Sequence, residues 1–290
     1  MSLKFAPSDY EIYIPIAEWI EKNIKEWLFL QRPLFKKISA PIDTVLNGLD
    51  SLFNFIPFPI AVLIFLYFAY KTNGLKFSVI TFLGLIFIDL VDLWSESMTT
   101  LAMIFTAVIF CILIGIPLGI FASRSKTFEI ILRPILDIMQ TIPSFVYLIP
   151  VVMLFRVGDF TAMIAVILYA LAPAVRYTAH GVRNINNQIV EAALISGCSP
   201  RQLLFKIKLP LALPEILLGI NQTIMLALSM LVITALVGTR DLGQEVYIGL
   251  TKADIGRGLV AGLCVAFISI IADRIIKAGS NNLKNKYGIK

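Results

Sequence analysis

Between residues 58 and 276 the sequence is a succession of apolar runs separated by short polar connections. A helix needs about 20 apolar residues to cross a hydrocarbon core of roughly 30 Å, since each residue advances it by about 1.5 Å. Seven runs can be drawn, over 58–70, 77–93, 98–122, 131–155, 160–177, 211–237 and 259–276, the first of them short. Of 290 residues, 58% are hydrophobic and 15% charged, against roughly 45–50% and 25% in soluble domains. The expectation is an all-α, polytopic membrane protein with about seven transmembrane helices, the membrane domain covering 57–278.

The segment 1–56 has a different pattern. Ile16, Trp19, Ile20, Ile24, Trp27 and Leu28 recur at three- and four-residue steps, with Glu18, Glu21, Lys22, Lys25 and Glu26 opposite. After Arg32-Pro33, where a break is expected, Ile42, Val45, Leu46, Leu49, Leu52 and Phe53 make a second apolar face opposite Asp43, Asn47, Asp50 and Asn54. Two amphipathic N-terminal helices are predicted, lying in the lipid headgroup region, against the membrane domain, or as an extramembrane hairpin docked on it. No basic start followed by a short apolar core marks a cleavable leader, so the first span is expected to insert the chain.

The 25 Lys and Arg against 19 Asp and Glu leave a net charge of +6, and their placement explains it. Fifteen lie after the first, third and fifth runs and in the tail 279–290 with its preceding turn, while four, Arg156, Arg240, Lys252 and Arg257, lie in the other connections. The positive-inside rule then puts the N-terminus outside and the C-terminus in the cytoplasm, and no nucleic acid is needed as a partner. Cys111, Cys198 and Cys264 form neither a disulfide framework nor a thiolate metal site. His180, the only histidine, excludes a site of clustered imidazoles, so no metal is expected.

The segment 184–210 reads as two short helices at an angle. A helix passes through Glu191, Ala192 and Ala193 and stops at Gly197, and the chain restarts with Ser199 as cap, Pro200 in the first helical position and Gln202 completing a capping box. By chemistry this is a docking element, with an anionic handle and small residues that permit close approach. A DNA-binding helix-turn-helix is the soluble analogue, but a hinge tethered to two spans is poorly placed to enter a groove.

Glu191-Ala192-Ala193, three residues, Gly197, nine residues, Ile207, one residue, then Leu209-Pro210 matches the EAA loop of the permease subunits of binding-protein-dependent ABC importers. The stretches 94–125, 133–155 and 199–233 resemble the proline/glycine betaine (ProU-type) subgroup, and the likeness extends over 42–276. The resemblance implies a type I ABC importer permease fold and a homodimer or heterodimer of permeases. It also implies a pair of ATP-binding subunits docked on the loop, an external substrate-binding protein, and a cargo such as glycine betaine, proline betaine, choline or a similar methylated amine.

The chain carries no G-x-x-x-x-G-K-[ST] loop, so ATP and magnesium are expected on the partner ATPase. No cofactor, no enzymatic activity and no fused binding protein are expected in this chain. Polar residues in the spans mark two candidate passage faces, because burying them is costly unless they pair or meet water. On the sixth run Asn221, Met225 and Ser229 repeat every four residues with Gln222 beside them; they line a passage or hydrogen-bond between helices. On the fourth, Gln140, Pro143, Ser144 and Tyr147 share one broad face with Pro150, and the prolines form a gate or a static kink. Asp137 is expected to pair with Arg133. Tyr147, Tyr169 and Tyr177 are candidates for cation-π contacts with a quaternary ammonium. Two other readings are a permease of the same machinery for another polar solute, such as an amino acid, and a self-contained secondary transporter. The latter should place acids at mid-membrane, whereas Asp89, Asp92, Asp137 and Asp273 lie toward run ends.

Overall fold

The computed structural model describes the backbone of residues 16–286 and the side chains up to Arg274, apart from Ile16, Ala17, Ile20 and Ile24. The part of the expected amphipathic face that rests on those isoleucines, and the side chains of the tail 279–290, lie outside the described residues. Every regular element among the described residues is helical.

The first helix, α1 (Ile16–Phe55), is one rod that continues through Pro33 and Pro41, so the break expected at Arg32-Pro33 is absent. Tertiary contact overrides the helix-breaking residue. The Arg32 guanidinium donates to the Met153 carbonyl at 2.6 and 2.9 Å, Leu28, Ser39 and Leu46 are buried, and Thr99 donates to Asp50 at 2.8 Å. The helix is therefore docked on the rest of the chain, while Trp19, Leu30 and Phe55 remain exposed.

Next come α2 (Phe58–Leu90), α3 (Trp94–Arg124), α4 (Lys126–Thr141), a 3-10 turn at Ser144–Tyr147, α5 (Leu148–Phe155) and α6 (Asp159–Arg183). They are followed by α7 (Asn187–Ile195), α8 (Pro200–Gln202), a π-helical stretch Leu203–Lys208, α9 (Leu209–Thr234), α10 (Leu242–Thr251) and α11 (Ile255–Lys286). Five helical segments are long and apolar enough to cross a membrane: α2, α3, α6, Pro200–Val237 and Ile255–Arg274. The pair α4 and Ser144–Phe155 passes the same test together but bends by 108°.

The first two expected rods are nevertheless both present, because α2 folds back on itself. Gly74 has φ 76° and ψ −170°, a conformation open to glycine. A straight helix would separate Phe58 from Leu90 by about 48 Å, yet the Phe58 ring lies 4.8 Å from that of Trp94. Val62 and Leu85 also share a buried cluster with Ile271. The turn is fastened to the end of the last span, where Asn73 donates to the Arg274 carbonyl at 3.2 Å. The fourth rod departs most from expectation. Pro143 holds Ile142 extended (φ −64°, ψ 132°), so the run 131–155 is an elbow, and its expected single polar face is divided between two arms.

The centre of the molecule is built by α3, α6 and α9, which approach closely at glycines. A Cβ on Gly119 would lie 2.6 Å from Thr178 Cβ, and one on Gly115 would lie 2.7 Å from Ala174 Cβ. Small residues four apart let two spans come together without hydrophobic drive. Along the same three helices Met103, Met163, Val166, Ile224 and Met230 are fully buried.

Candidate functional site

The helix ends sort into two groups. At one lie the turn at Gly74, the C-termini of α3 and α6, the loop 184–210 and Arg274. The Arg183 guanidinium, on the last residue of α6, donates to the Ala122 carbonyl of α3 at 2.8 Å. At the opposite end Gly158 N–H donates to the Val237 carbonyl at 2.9 Å, joining the start of α6 to the end of α9. Lys71, Lys76, Arg124, Lys126, Arg201, Lys206 and Lys208 therefore gather at the first end. Two of the cations at the other end are paired locally, Arg240 with Asp159 at 2.6 Å and Arg257 with Glu245 at 2.6 Å.

The loop at the basic end closes α7 in a left-handed cap. Gly197 has φ 78°, its N–H donates to the Leu194 carbonyl, and the Cys198 N–H donates to that of Ala193. Such a pair satisfies the last carbonyls of a helix and wants glycine at the left-handed position. A Cβ on Gly197 would meet nothing within 4 Å, so backbone conformation, and not crowding, selects the glycine. The restart follows the sequence: Ser199 accepts from the Gln202 N–H at 3.3 Å and Gln202 Oε1 accepts from the Ser199 N–H at 2.9 Å.

The second of the two expected short helices is the beginning of the long span. α8 runs through the π-helical turns, which hold Ile207, into Leu209 and Pro210 without a break. Pro210 lacks the N–H that would close an ordinary turn onto Lys206, so the helix widens before it. Glu191 and Ala192 are exposed, Ala193 is buried, and Leu194, Ile195 and Phe205 stand in the open at 52, 88 and 65% exposure. The loop is thus a capped knob with a bare apolar tip.

The stripe expected on the sixth run divides. Gln222, Met225 and Ser229 are exposed along one side of α9, together with Leu218 and Leu236, and the Ser229 hydroxyl donates to Met225 within its own helix at 3.0 Å. Asn221 faces the other way: it is buried, and its Oδ1 has no hydrogen-bond partner. At the elbow, Gln140 ends the first arm, while Ser144 and Tyr147 begin the second. The Tyr147 hydroxyl bridges the two arms, donating to Met139 at 2.6 Å, and its ring lies edge-on to Tyr169 at 6.3 Å between centroids.

A cavity of about 550 Å³ opens between the ends of α3, α4, α6 and α9, and Tyr177 is in its lining. Charges of both signs surround it. Asp137 pairs with Arg176 at 2.6 Å, not with Arg133 as the i,i+4 spacing suggests. Arg133 pairs instead with Glu129 at 3.2 Å, and Arg183 pairs with Glu129 as well. His180 Nδ1 lies 3.8 Å from Glu215. This cluster was missed from the sequence, although Glu129, Arg133 and Asp137 stand at i, i+4 and i+8 on one face of α4.

At the far end, Asp241 caps α10 with no exposed surface, accepting the Thr239 hydroxyl at 2.6 Å and the Gln244 N–H at 3.2 Å. Burial, opposed in part by these two hydrogen bonds, pushes its carboxyl up to about 6. Neighbouring Arg240 is held above its ordinary value, chiefly by its hydrogen bond to Asp159. No group of three or more potential metal ligands occurs among the described residues.

Residues 115–284, more than half of the chain, match the family described as "Binding-protein-dependent transport system inner membrane component". The chain is 40% identical over 278 residues to the glycine betaine/proline betaine transport system permease protein ProW of Escherichia coli (strain K12), covering 96% of this chain and 78% of that one. It is 37% identical over 274 residues to the glycine betaine transport system permease protein OpuAB of Bacillus subtilis (strain 168), covering 94% and 95%. Among solved structures, an inward-facing conformation of the MetNI methionine ABC transporter superposes with a TM-score of 0.54 at 25% identity, covering 62% of this chain and 92% of that one. With its multi-pass helical fold, its capped loop and these likenesses, the chain belongs to the family of binding-protein-dependent transport system inner membrane components, the permease subunits of ABC importers.

Proposed function

We propose that this chain is the passage-forming subunit of an ATP-driven importer of a small methylated or quaternary amine, with glycine betaine and proline betaine as leading candidates. The observation that carries the substrate class is its likeness, over 96% of its length, to a permease whose name states those two solutes. In this reading the basic end, the loop 184–210 and the tail 279–290 are cytoplasmic, the N-terminus is outside, and 57–278 is the membrane domain in the bacterial cytoplasmic membrane. Two copies pair, two ATPase subunits bind ATP and magnesium, and an external binding protein delivers the solute. The chain holds no cofactor and catalyses no reaction itself.

Glu191, Ala192, Ala193, Gly197, Ile207, Leu209 and Pro210 form the ATPase-coupling element in this scheme. The exposed apolar tip of α7 supports it, because a protruding knob beside a basic surface offers apolar area and an anionic anchor together. Gln222, Met225 and Ser229 line the passage, since their side of α9 is uncovered in the single chain. The elbow residues Gln140, Pro143, Ser144 and Tyr147 shape it, and buried Asn221 supports the wall from behind.

The test is uptake into proteoliposomes containing this chain with its ATPase and binding protein. Labelled glycine betaine should enter only with ATP and binding protein present, and excess proline betaine should compete. Uptake without ATP would defeat the importer reading; competition by an unmethylated amino acid but not by betaines would defeat the substrate class.

A further inference from the structure

We propose that Arg183 is the joint through which movement of the loop 184–210 reaches α4, so that α4 works as a hinged wall of the cavity at the basic end. The inference rests on the reading of that loop as the ATPase-coupling element.

The geometry is that of a three-way clamp. Arg183 ends α6, four positions before α7 begins. One arm of its guanidinium donates to the Ala122 carbonyl in the last turn of α3, and the other to Glu129 in the first turn of α4. The planar fork of arginine can hold two acceptors in fixed directions, which an ammonium does not do. A displacement of α7 passed along residues 184–186 to the end of α6 therefore pulls on α3 and α4 through one side chain.

The second half of the argument is how α4 is held. Leu136 is its one buried side chain, with Leu132 and Met139 half-buried against the core, while Ile130, Ile131, Ile135 and Ile138 face outward. Its other ties within the chain are the ion pairs Glu129 to Arg183 and Asp137 to Arg176, and the Tyr147 hydroxyl on Met139. Both its ends are extended backbone: Ser125 has φ −121° and ψ 110°, and Ile142 precedes Pro143. A rod joined by two extended residues, with one buried leucine and two half-buried apolar side chains on its inner face, can swing while giving up limited apolar burial. Behind it lies the cavity, walled on the α6 side by Arg176, Tyr177 and His180. Arg183 is thus a positioning residue that sets where α4 stands for each state of the loop.

The test compares the assembled transporter carrying Arg183→Ala or Glu129→Gln with the unmodified one, measuring uptake and ATP hydrolysis together. A nitroxide at Ile130→Cys, with Cys198→Ser, reports on α4 with and without ATP. Loss of the joint should lower solute moved per ATP hydrolysed by roughly fivefold or more, with assembly retained, and should abolish the nitroxide's response to ATP. Glu129→Gln keeps the acceptor oxygen and should act in the same direction more weakly. If Arg183→Ala does not assemble, Glu129→Gln decides. Unchanged uptake per ATP, or a nitroxide that still responds, overturns the proposal. A complex that transports no betaine but whose nitroxide responds to ATP only with Arg183 intact would sink the substrate class and leave the joint standing.

Discussion

The hydroxyl of Thr239 donates to Asp241 at 2.6 Å in a site where Asp241 has no contact with solvent. Its second carboxylate oxygen and Oε1 of Gln244 are buried without a hydrogen-bond partner, so the charge there is only partly compensated. With its pKa at about 6 in the fold against the ordinary 3.8, the folded state holds the proton to higher pH than the unfolded chain. Stability should therefore fall as pH rises from about 4 to 6, by on the order of 3 kcal/mol, and should be free of this penalty below that window. Asp241→Asn keeps an acceptor for Thr239, and its melting temperature should lose this part of the fall over the same range. A variant that retains the wild-type slope would show that another group titrates.

At Gly197 a side chain would meet no neighbour but would stand at φ 78°. Gly197→Val should cost about 1–2 kcal/mol in the local cap, deform the knob, and release the ATPase subunit on co-purification. Glu191→Ala leaves the shape and should lower uptake with part of the ATP hydrolysis remaining. Full uptake by a well-expressed Gly197→Val transporter would remove the loop from the coupling path.

Replacing residues on the two sides of α9 should have opposite signatures. Gln222→Leu and Ser229→Leu change an uncovered face, so uptake should drop while melting temperature and assembly hold. Asn221→Leu puts a branched side chain into a filled interior, which should lower stability by about 1–3 kcal/mol. Loss of assembly in Gln222→Leu would make that residue part of a helix contact and not of the passage.

Orientation can be read by cysteine labelling. A cysteine at Lys126 or Lys206, both exposed at the basic end, should react with an impermeant thiol reagent only in opened cells, and one at Asp92 in intact cells. Gln244 is a poorer site for the second probe, because it is only partly exposed. The inverse pattern would reverse the orientation.

The spans were legible because burial in lipid and burial in protein both select apolar residues, so each run declares itself wherever it packs. The cap at Ser199 and Gln202 and the turn at Gly197 were legible too, since both are local backbone arrangements written in consecutive residues. What escaped were relations between distant residues. Pro33 reads as a break until Arg32 is seen fastened to Met153. Asp137 has an arginine four residues away and chooses one on another helix. Asn221 and Gln222 are neighbours in sequence but look in opposite directions, and only the packing of α9 against α6 says which is inside.

The hairpin at Gly74 also bears on the surrounding bilayer. Each arm of α2 has about 16 helical residues and spans about 24 Å, some 6 Å less than an average hydrocarbon thickness. A bilayer meets such a deficit by thinning locally, at fractions of a kcal/mol per Å. The expected consequence is a flank beside the hairpin where acyl chains shorter than average are favoured over longer ones.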